Sequence, residues 1–393
     1  MKKIRDALWE KAVSKKFPLI AAFELLPVCN LSCKMCYVRK TMKEVNELGG
    51  LLDAKSWLDF AAQAKDLGLL YPLLTGGEPL LHPEFKEIFS GMQKMGMQVS
   101  INSNGTMIDE EMAKWFSECT PTRINITLYG ASEKSYQDLC GDGNAFNKVR
   151  AAVDHLQKYH IPIKFNASIT PQNYHELKLI MDYAESVHVP LQIATYMFPP
   201  LRRDETMIGK NVRLSPQQAA EACFQSELLR NEPEWMMQKA IRFSEFIDPE
   251  KIGPSDQIMK MYCRAGVCSF WIDWQGNMMN CGMYPSAKTS LEKKTLKQAW
   301  DIIVDKTSKV EYTPYCASCP NRVLCHACIA MVVNECGNDA GKPEYLCEMN
   351  KHLAHLYKEY LAGIDMNVYF GNRNSDNENK DAIDIYQDDS CGF

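Results

Sequence analysis

Three cysteines, Cys29, Cys33 and Cys36, sit in one short stretch, "VCNLSCKMCYV", separated by three and then two residues. Thiolates at such spacing are soft ligands, suited to zinc or to iron–sulfur. Three of them cannot close a four-ligand site, and no fourth thiol or imidazole follows, the next histidine being His82. A structural zinc site would need that fourth ligand. A cubic [4Fe–4S] cluster held by three cysteines instead leaves one iron open to a ligand that is not protein. A second stretch, "TGGEP", places Gly76, Gly77 and Glu78 some forty residues after Cys36. Glycines let a backbone come close to a ligand, and Glu78 is an anion able to hold an ammonium group.

The C-terminal part carries more sulfur. It reads Cys263-x4-Cys268, then Gly276-x4-Cys281, then Cys316-x2-Cys319-x5-Cys325-x2-Cys328, and finally Cys347. Eight cysteines suffice for two fully thiolated cubic clusters, and their C-x2-C pairs suit zinc knuckles as well. Cys119, Cys140, Cys223, Cys336 and Cys391 stand outside these groups, and the first three read as small buried hydrophobes.

Elements must hold these residues in place. From 18 to 197 short β-like runs alternate with helical patterns near 53–68, 83–96, 109–118, 145–159 and 174–187. Most of the strands look apolar enough to be buried on both faces, so six βα units predict a parallel sheet with right-handed crossovers. The fold class is therefore α/β, a partial (β/α)6 TIM-type barrel with chemistry at the C-terminal strand ends. "CNLSC", "TGGEP", "NSNG", "LYGAS" and "SITPQN" fall there. Residues 1–17 form an N-terminal extension, and 198–262 a connector with a helix near 215–230. The segment 263–362 is too rich in ligands to need a large apolar core and ends in a helix at 346–362. The polar, acidic tail 371–393 reads as disordered.

Composition excludes several roles. The formal net charge of −5 over 393 residues argues against nucleic acid or an anionic membrane as main partner. No uncharged apolar run reaches the roughly 18 residues of a membrane span, and the charged start "MKKIRDALWEKAVSKKFP" lacks a secretory core. The expectation is a cytoplasmic protein, in which sixteen cysteines serve metal rather than disulfides.

The triad in a loop after the first strand, followed in register by "TGGEP", resembles the radical S-adenosylmethionine (SAM) superfamily. The residue before the third cysteine is usually aromatic in that family; here it is Met35, with Tyr37 just after. The resemblance implies a [4Fe–4S] cluster on Cys29, Cys33 and Cys36 whose open iron binds SAM. It implies reductive cleavage to a hydrogen-abstracting 5′-deoxyadenosyl radical, fed by a donor such as ferredoxin or flavodoxin. Gly76, Gly77 and Glu78 would hold the SAM amine, and Asn104 and Ser168 its carboxylate or ribose, although both also suit ordinary turn capping.

The C-terminal pattern resembles the SPASM extension of radical SAM enzymes that modify peptides. By that resemblance Cys263, Cys268, Cys281 and Cys328 hold one auxiliary [4Fe–4S] cluster, and Cys316, Cys319, Cys325 and Cys347 a second. The family commonly has three residues between the last pair where "CHAC" has two, so Cys336 or His326 stays open as a substitute for Cys328. The implied function is modification of a ribosomally made peptide or protein: cross-linking, oxidation or epimerisation. About 17 residues before the first strand are too few for an independent leader-binding domain, which needs roughly 40. Local recognition, as in anaerobic sulfatase-maturating enzymes, would fit. Two alternatives remain: a radical SAM enzyme acting on a small molecule or cofactor precursor, and a non-enzymatic iron–sulfur carrier or regulator. Cys223, Asp204 and Tyr129 are candidates for a catalytic hydrogen donor or proton acceptor. Arg202 and Arg203 read as surface or salt-bridged residues, and Trp271 and Trp274 as packing around the clusters.

Overall fold

The computed structural model describes residues 4–260 and 263–363, so the acidic tail from 371 lies outside it. Six parallel strands form the barrel wall: β1 (Ile20–Glu24), β2 (Tyr71–Thr75), β3 (Ser100–Ser103), β4 (Arg123–Leu128), β5 (Ile163–Ser168) and β6 (Leu191–Ala194). They lie side by side in chain order, as repeated βα units require. Helices cross between them over Ala54–Asp66, Phe85–Lys94, Glu110–Glu118, Ala145–Lys158 and Leu177–Ser186. Local chemistry sets their starts. Asp53 accepts from Ser56 N at 2.8 Å and Asp109 from Met112 N at 2.8 Å, each satisfying an N-terminal amide of its helix. Trp57, Ala61 and Ala64 recur at helical spacing and are buried.

Three further strands extend the sheet on the β1 edge: β7 (Ser269–Ile272), β8 (Asn277–Cys281) and β9 (Tyr284–Ser290). β7 runs parallel to β1, pairing Ile20 with Ser269 and Phe23 with Ile272, whereas β8 and β9 return antiparallel. The cysteine-rich segment therefore continues the barrel sheet. It also has the apolar core that its ligand density seemed to make unnecessary. Phe270, Ile272, Met278, Leu296, Trp300 and Ile303 are buried in one cluster with the barrel residues Phe23, Trp57 and Leu74.

The expectation that most strands are buried and apolar on both faces holds for β1 and β2 and fails for β3 to β6. Ile124, Ile126 and Leu128 face the core, but the alternate residues of β4 and its neighbours are polar. Asn125 donates to Asn102 at 2.7 Å and Lys164 to Gln192 at 2.7 Å across adjacent strands. From β3 to β6 the sheet has one apolar face, toward the helices, and one polar face, whereas Ala22, Trp271 and Met279 form a buried apolar cluster on that second face at β1, β7 and β8. Residues 198–262 are more than a connector. Their helices Pro216–Leu228 and Pro233–Ser244 pack with Glu344–Leu361, where Phe243 stacks on Tyr357 at 4.7 Å.

Candidate functional site

The thiol loop leaves the end of β1 and is gripped from two sides. Ser32 N donates to Cys140 O at 2.8 Å and Lys34 N to Leu139 O at 3.0 Å, so the residues flanking Cys33 are tied to the last turn of the helix Glu133–Cys140. On the other side, Gly77 N donates to Leu26 O at 2.7 Å and Glu78 N to Val28 O at 3.0 Å. Gly76 has φ +146°, and a Cβ there would lie 2.3 Å from Leu26 O; at Gly77 it would lie 2.2 Å from Val28 O. The close approach that demands these glycines is thus to the backbone entering the cysteine loop.

Glu78 is wholly buried. Its carboxylate accepts from Leu80 N (3.2 Å), Ser103 Oγ (2.9 Å) and Asn104 N (2.7 Å). Three of a carboxylate's roughly four acceptor positions are filled, which leaves one for an outside donor. Burial pushes its pKa up to about 7, against the pull of these hydrogen bonds. Asn104, held by Glu78, donates Nδ2 to Cys29 Sγ at 3.6 Å and to Asn30 Oδ1 at 2.9 Å. Glu78, Asn104 and Cys29 thus form a connected chain. Ser168 is half-buried at the end of β5, and its carbonyl accepts from Asn173 Nδ2, which also donates to Tyr129 O.

The three thiols feel one another. Burial raises the Cys29 thiol to about 12 and also raises Cys36, with smaller upward contributions from neighbouring thiolates. Cys33 goes the other way: hydrogen bonds from Cys140 and Tyr129 hold it below the usual thiol range. Leu31 N donates to Cys29 Sγ at 3.4 Å and Arg39 N to Cys36 Sγ at 3.3 Å. Cys29 and Cys36 each have a backbone amide aimed at the sulfur, as suits a thiolate ligand.

A second arrangement joins this loop to β7 and β8. Glu24, wholly buried at the end of β1, is paired with Arg202 through 2.7 and 2.8 Å contacts and accepts from Trp271 Nε1 at 3.0 Å. Arg202 also lies over the Tyr37 ring, 5.4 Å from its centroid, and reaches Gly282 O. The Tyr37 phenol, pushed well up by burial, lies within electrostatic reach of both Cys36 and Cys281. The salt-bridged reading of Arg202 holds. Trp274 packs with Val38 and Val45.

In the C-terminal region Cys316, Cys319, Cys325 and Cys347 line one cavity, walled by Phe246, Pro249 and Leu346. Burial raises Cys316 and Cys347 to about 12, each being raised further by Cys325. Asn350 Nδ2 donates to Cys325 Sγ at 3.4 Å. Burial raises the Cys281 thiol to about 11, the Cys328 charge raises it further, and Met283 N donates to its sulfur at 3.4 Å. Cys336 instead donates to Lys342 O at 3.3 Å, and its charge bears on Cys316. His326 is exposed. Cys263 accepts from Ala265 N at 3.4 Å, and Cys268 is buried with Ala12 and Leu19.

Among the described residues no three His, Cys, Asp or Glu side chains are gathered for a single metal ion. The thiols of the triad and of the 316–347 quartet nonetheless influence one another, which fits a polynuclear cluster whose ligands sit on different metal atoms.

Two catalytic candidates are corrected by their surroundings. Asp204 is exposed and accepts from Thr206 N (2.9 Å) and Oγ1 (2.6 Å), which holds its carboxyl below the usual range; it caps a turn and is a poor proton acceptor. Cys223 lies in the helical layer with its thiol on Glu227 at 3.6 Å, near Lys239 and Tyr357, and not at the strand ends. Tyr129 does reach the thiol loop, through Cys33. Sequence reading missed Glu24 and the role of Cys140. A lone acid closing the apolar run "LIAAFE" was the signal for the first.

Residues 23–184 match the family model of the radical SAM superfamily. Among characterised proteins, the chain is 25% identical over 189 residues to an AdoMet-dependent heme synthase of Methanosarcina barkeri, covering 48% of this chain and 53% of that protein. It thus spans about half the length of that relative. It is 22% identical to the AdoMet-dependent heme synthase of Nitratidesulfovibrio vulgaris over 84% of this chain and 91% of that one. It is 24% identical to the PqqA peptide cyclase of Rhizobium meliloti over 46% and 48% of the two chains. Solved structures share the fold. Streptococcus suis SuiB bound to precursor peptide SuiA has TM-score 0.61 at 17% identity, over 87% of this chain and 79% of that one. Native anSMEcpe with bound AdoMet has TM-score 0.64 at 17% identity, over 89% and 100%.

Proposed function

From the premise that residues 23–184 form a radical SAM domain, we propose that the protein modifies a peptide or protein side chain by hydrogen abstraction. Cys29, Cys33 and Cys36 would hold a [4Fe–4S] cluster, with Glu78 and Asn104 at the SAM-binding edge beside Cys29. When bound, cluster and SAM supply a one-electron cleavage that yields a hydrogen-abstracting radical. The chain's own residues do the rest. Gly76 and Gly77 seat the Glu78 turn on the cysteine loop. Asn104 ties that turn to Cys29. The Glu24–Arg202 pair lies against the Tyr37 ring, which is within electrostatic reach of Cys36 and Cys281.

That last placement carries the reading. Removing hydrogen leaves a substrate radical that must lose an electron to become a cross-linked or oxidised product. The support for the reading is Tyr37, within electrostatic reach of both Cys36 and Cys281, since an auxiliary cluster on Cys281 would then lie near the place where the radical forms. Two auxiliary clusters, on Cys263, Cys268, Cys281 and Cys328 and on Cys316, Cys319, Cys325 and Cys347, would take up that electron, and a ferredoxin or flavodoxin would supply the first one. A peptide substrate is supported by the fold shared with SuiB and with anSMEcpe, both of which bind peptides in their solved structures.

A second reading, a tetrapyrrole-like small molecule, is favoured by one observation. The N. vulgaris heme synthase aligns over most of both chains, whereas the PqqA cyclase aligns over about half. The deciding experiment is anaerobic reconstitution, reduction with SAM, and mass spectrometry. A peptide losing two mass units with 5′-deoxyadenosine formed in step supports the first reading. Decarboxylation of an added porphyrin carboxylate with no peptide turnover would replace it by the second, and no 5′-deoxyadenosine at all would refute both.

A further inference from the structure

The side chain of Asn104 is fully committed within the protein. A carboxamide offers two N–H donors and two acceptor lone pairs. Its two Nδ2 hydrogens go to Asn30 Oδ1 at 2.9 Å and, over the longer reach that sulfur allows, to Cys29 Sγ at 3.6 Å. Its Oδ1 accepts from Thr106 N at 2.9 Å and from Thr106 Oγ1 at 2.6 Å. The Thr106 amide can only donate, so it fixes which end of the carboxamide is oxygen. Asn104 is buried, 4% exposed. A SAM carboxylate or ribose could reach this side chain only by displacing one of these partners.

Three of the contacts close into a ring. Asn30 Nδ2 donates to Thr106 Oγ1 at 2.7 Å, Thr106 Oγ1 donates to Asn104 Oδ1, and Asn104 Nδ2 donates back to Asn30 Oδ1. Each member gives one bond and accepts one, so the bonds run round the ring in one sense and reinforce one another. Asn30 follows Cys29 in the loop after β1, and Thr106 lies 76 residues further on, in the turn after β3. Gly105, at φ +78°, lets that turn fold Thr106 back over Asn104. Backbone contacts hold the cysteine loop at Val28, Ser32 and Lys34, and the Asn30 side chain holds it between them. The same turn reaches Glu78, through the Asn104 amide at 2.7 Å.

We propose that Asn30 and Thr106 are positioning residues for SAM: their ring with Asn104 keeps Cys29 and the remaining acceptor position of Glu78 at one spacing, and Asn104 serves that ring instead of touching SAM. This rests on the radical SAM reading above. The test is equilibrium dialysis of radiolabelled SAM against the anaerobically reconstituted full-length protein, with iron measured in the same samples.

Thr106→Val keeps the shape of the side chain and removes the hydroxyl that both gives and accepts in the ring. Thr106→Val and Asn30→Ala are each expected to raise the SAM dissociation constant about tenfold, the effect of one or two hydrogen bonds, with iron unchanged. Thr106→Ser, which keeps the hydroxyl, should return it to within about twofold of the wild type. Unchanged or tighter SAM binding in Thr106→Val and Asn30→Ala, with iron intact, would overturn the proposal, since a freed Asn104 would then be indifferent to SAM or a ligand of it. If one variant loses iron the other decides. Iron loss in both also overturns it, by making the ring a device for holding the cluster. A reconstituted wild type that binds no SAM refutes the functional reading itself, which is distinct from a wild type that binds SAM alongside variants that bind it equally well.

Discussion

The loop of Cys29, Cys33 and Cys36 and the quartet of Cys316, Cys319, Cys325 and Cys347 use the same side chain under opposite conditions. The loop hangs from the ends of parallel strands. Its neighbours are hydrogen-bonding groups: two backbone amides, Asn104, Tyr129, and through Asn104 the buried Glu78. The quartet is spread over the short turn Pro314–Ala317, the loop after it and the first turn of Glu344–Leu361, around an apolar-walled cavity, with Asn350 donating to one sulfur. Three thiols with polar neighbours suit an open cluster that must receive a charged ligand. Four thiols between Phe246, Pro249 and Leu346 suit a closed one that only exchanges electrons.

The sharpest way to break this contrast is to remove one sulfur from each region. Cys33→Ala is expected to lower 5′-deoxyadenosine formation at least a thousandfold, about 4 kcal/mol in barrier. Cys319→Ala should leave SAM cleavage within about tenfold and abolish modified product, because the first step needs only the open cluster. Chromatography of nucleoside and product from the same reaction checks both. Equal loss of cleavage in the two variants would erase the division of labour.

The two regions are tied together by Glu24, Arg202 and Trp271. Arg202→Met leaves the Glu24 carboxylate buried without its partner, and removing one member of a buried pair costs about 3–5 kcal/mol. Denaturant unfolding should show that loss. Gly77→Ala acts closer to the loop. Its Cβ would meet Val28 O at 2.2 Å, a backbone atom that cannot swing aside. About 2–4 kcal/mol of destabilisation is expected, with iron loss confined to the first site, as metal analysis against a Cys319→Ala background would show.

How far the sequence could be read follows the same division. The parallel strands and their helices were legible because period and capping are local: Asp53, Asp109 and the spacing of Trp57, Ala61 and Ala64 announce their helices. The triad and "TGGEP" were legible because ligand spacing is local too. What could not be read depends on tertiary contact. Nothing in "SFWI" says that β7 pairs with β1 and carries the barrel core into the cysteine-rich region. Nothing in "LCGDG" says that Cys140 ends up against Cys33. The glycines of "TGGEP" were recognised, but the partner that requires them lies fifty residues upstream at Leu26 and Val28.

Glu78 gives a pH signature that belongs to the first region alone. Its carboxyl is raised by burial to about 7, above its ordinary value of 4.5. The folded state therefore holds a proton that the unfolded state has released between those values. Stability of the apo protein should fall as pH rises from about 4.5 to about 7, by at most about 3.4 kcal/mol, and level off above. Glu78→Gln should flatten this slope in urea midpoints measured across that range. A slope unchanged by the substitution would assign the titration elsewhere.

The smallest expected effects concern Asp204 and Cys223, and they sharpen the boundary of the site. Asp204 caps an exposed turn, so Asp204→Asn should leave both cleavage and product within about twofold. Cys223 matters more for what it would mean. If the reaction were an epimerisation, a thiol would have to return hydrogen to the substrate radical, and in D₂O that hydrogen would be deuterium. Cys223 faces Glu227 and Lys239 in the helical layer, with its thiol pushed up by burial and by the Glu227 charge. Cys223→Ala should therefore change stability by about 1 kcal/mol and product not at all. Loss of deuterium uptake in that variant alone would move the hydrogen donor into the helices and require the substrate to reach them. Unchanged product leaves the chemistry at the strand ends, where Cys29, Asn104 and Glu78 already form one connected chain.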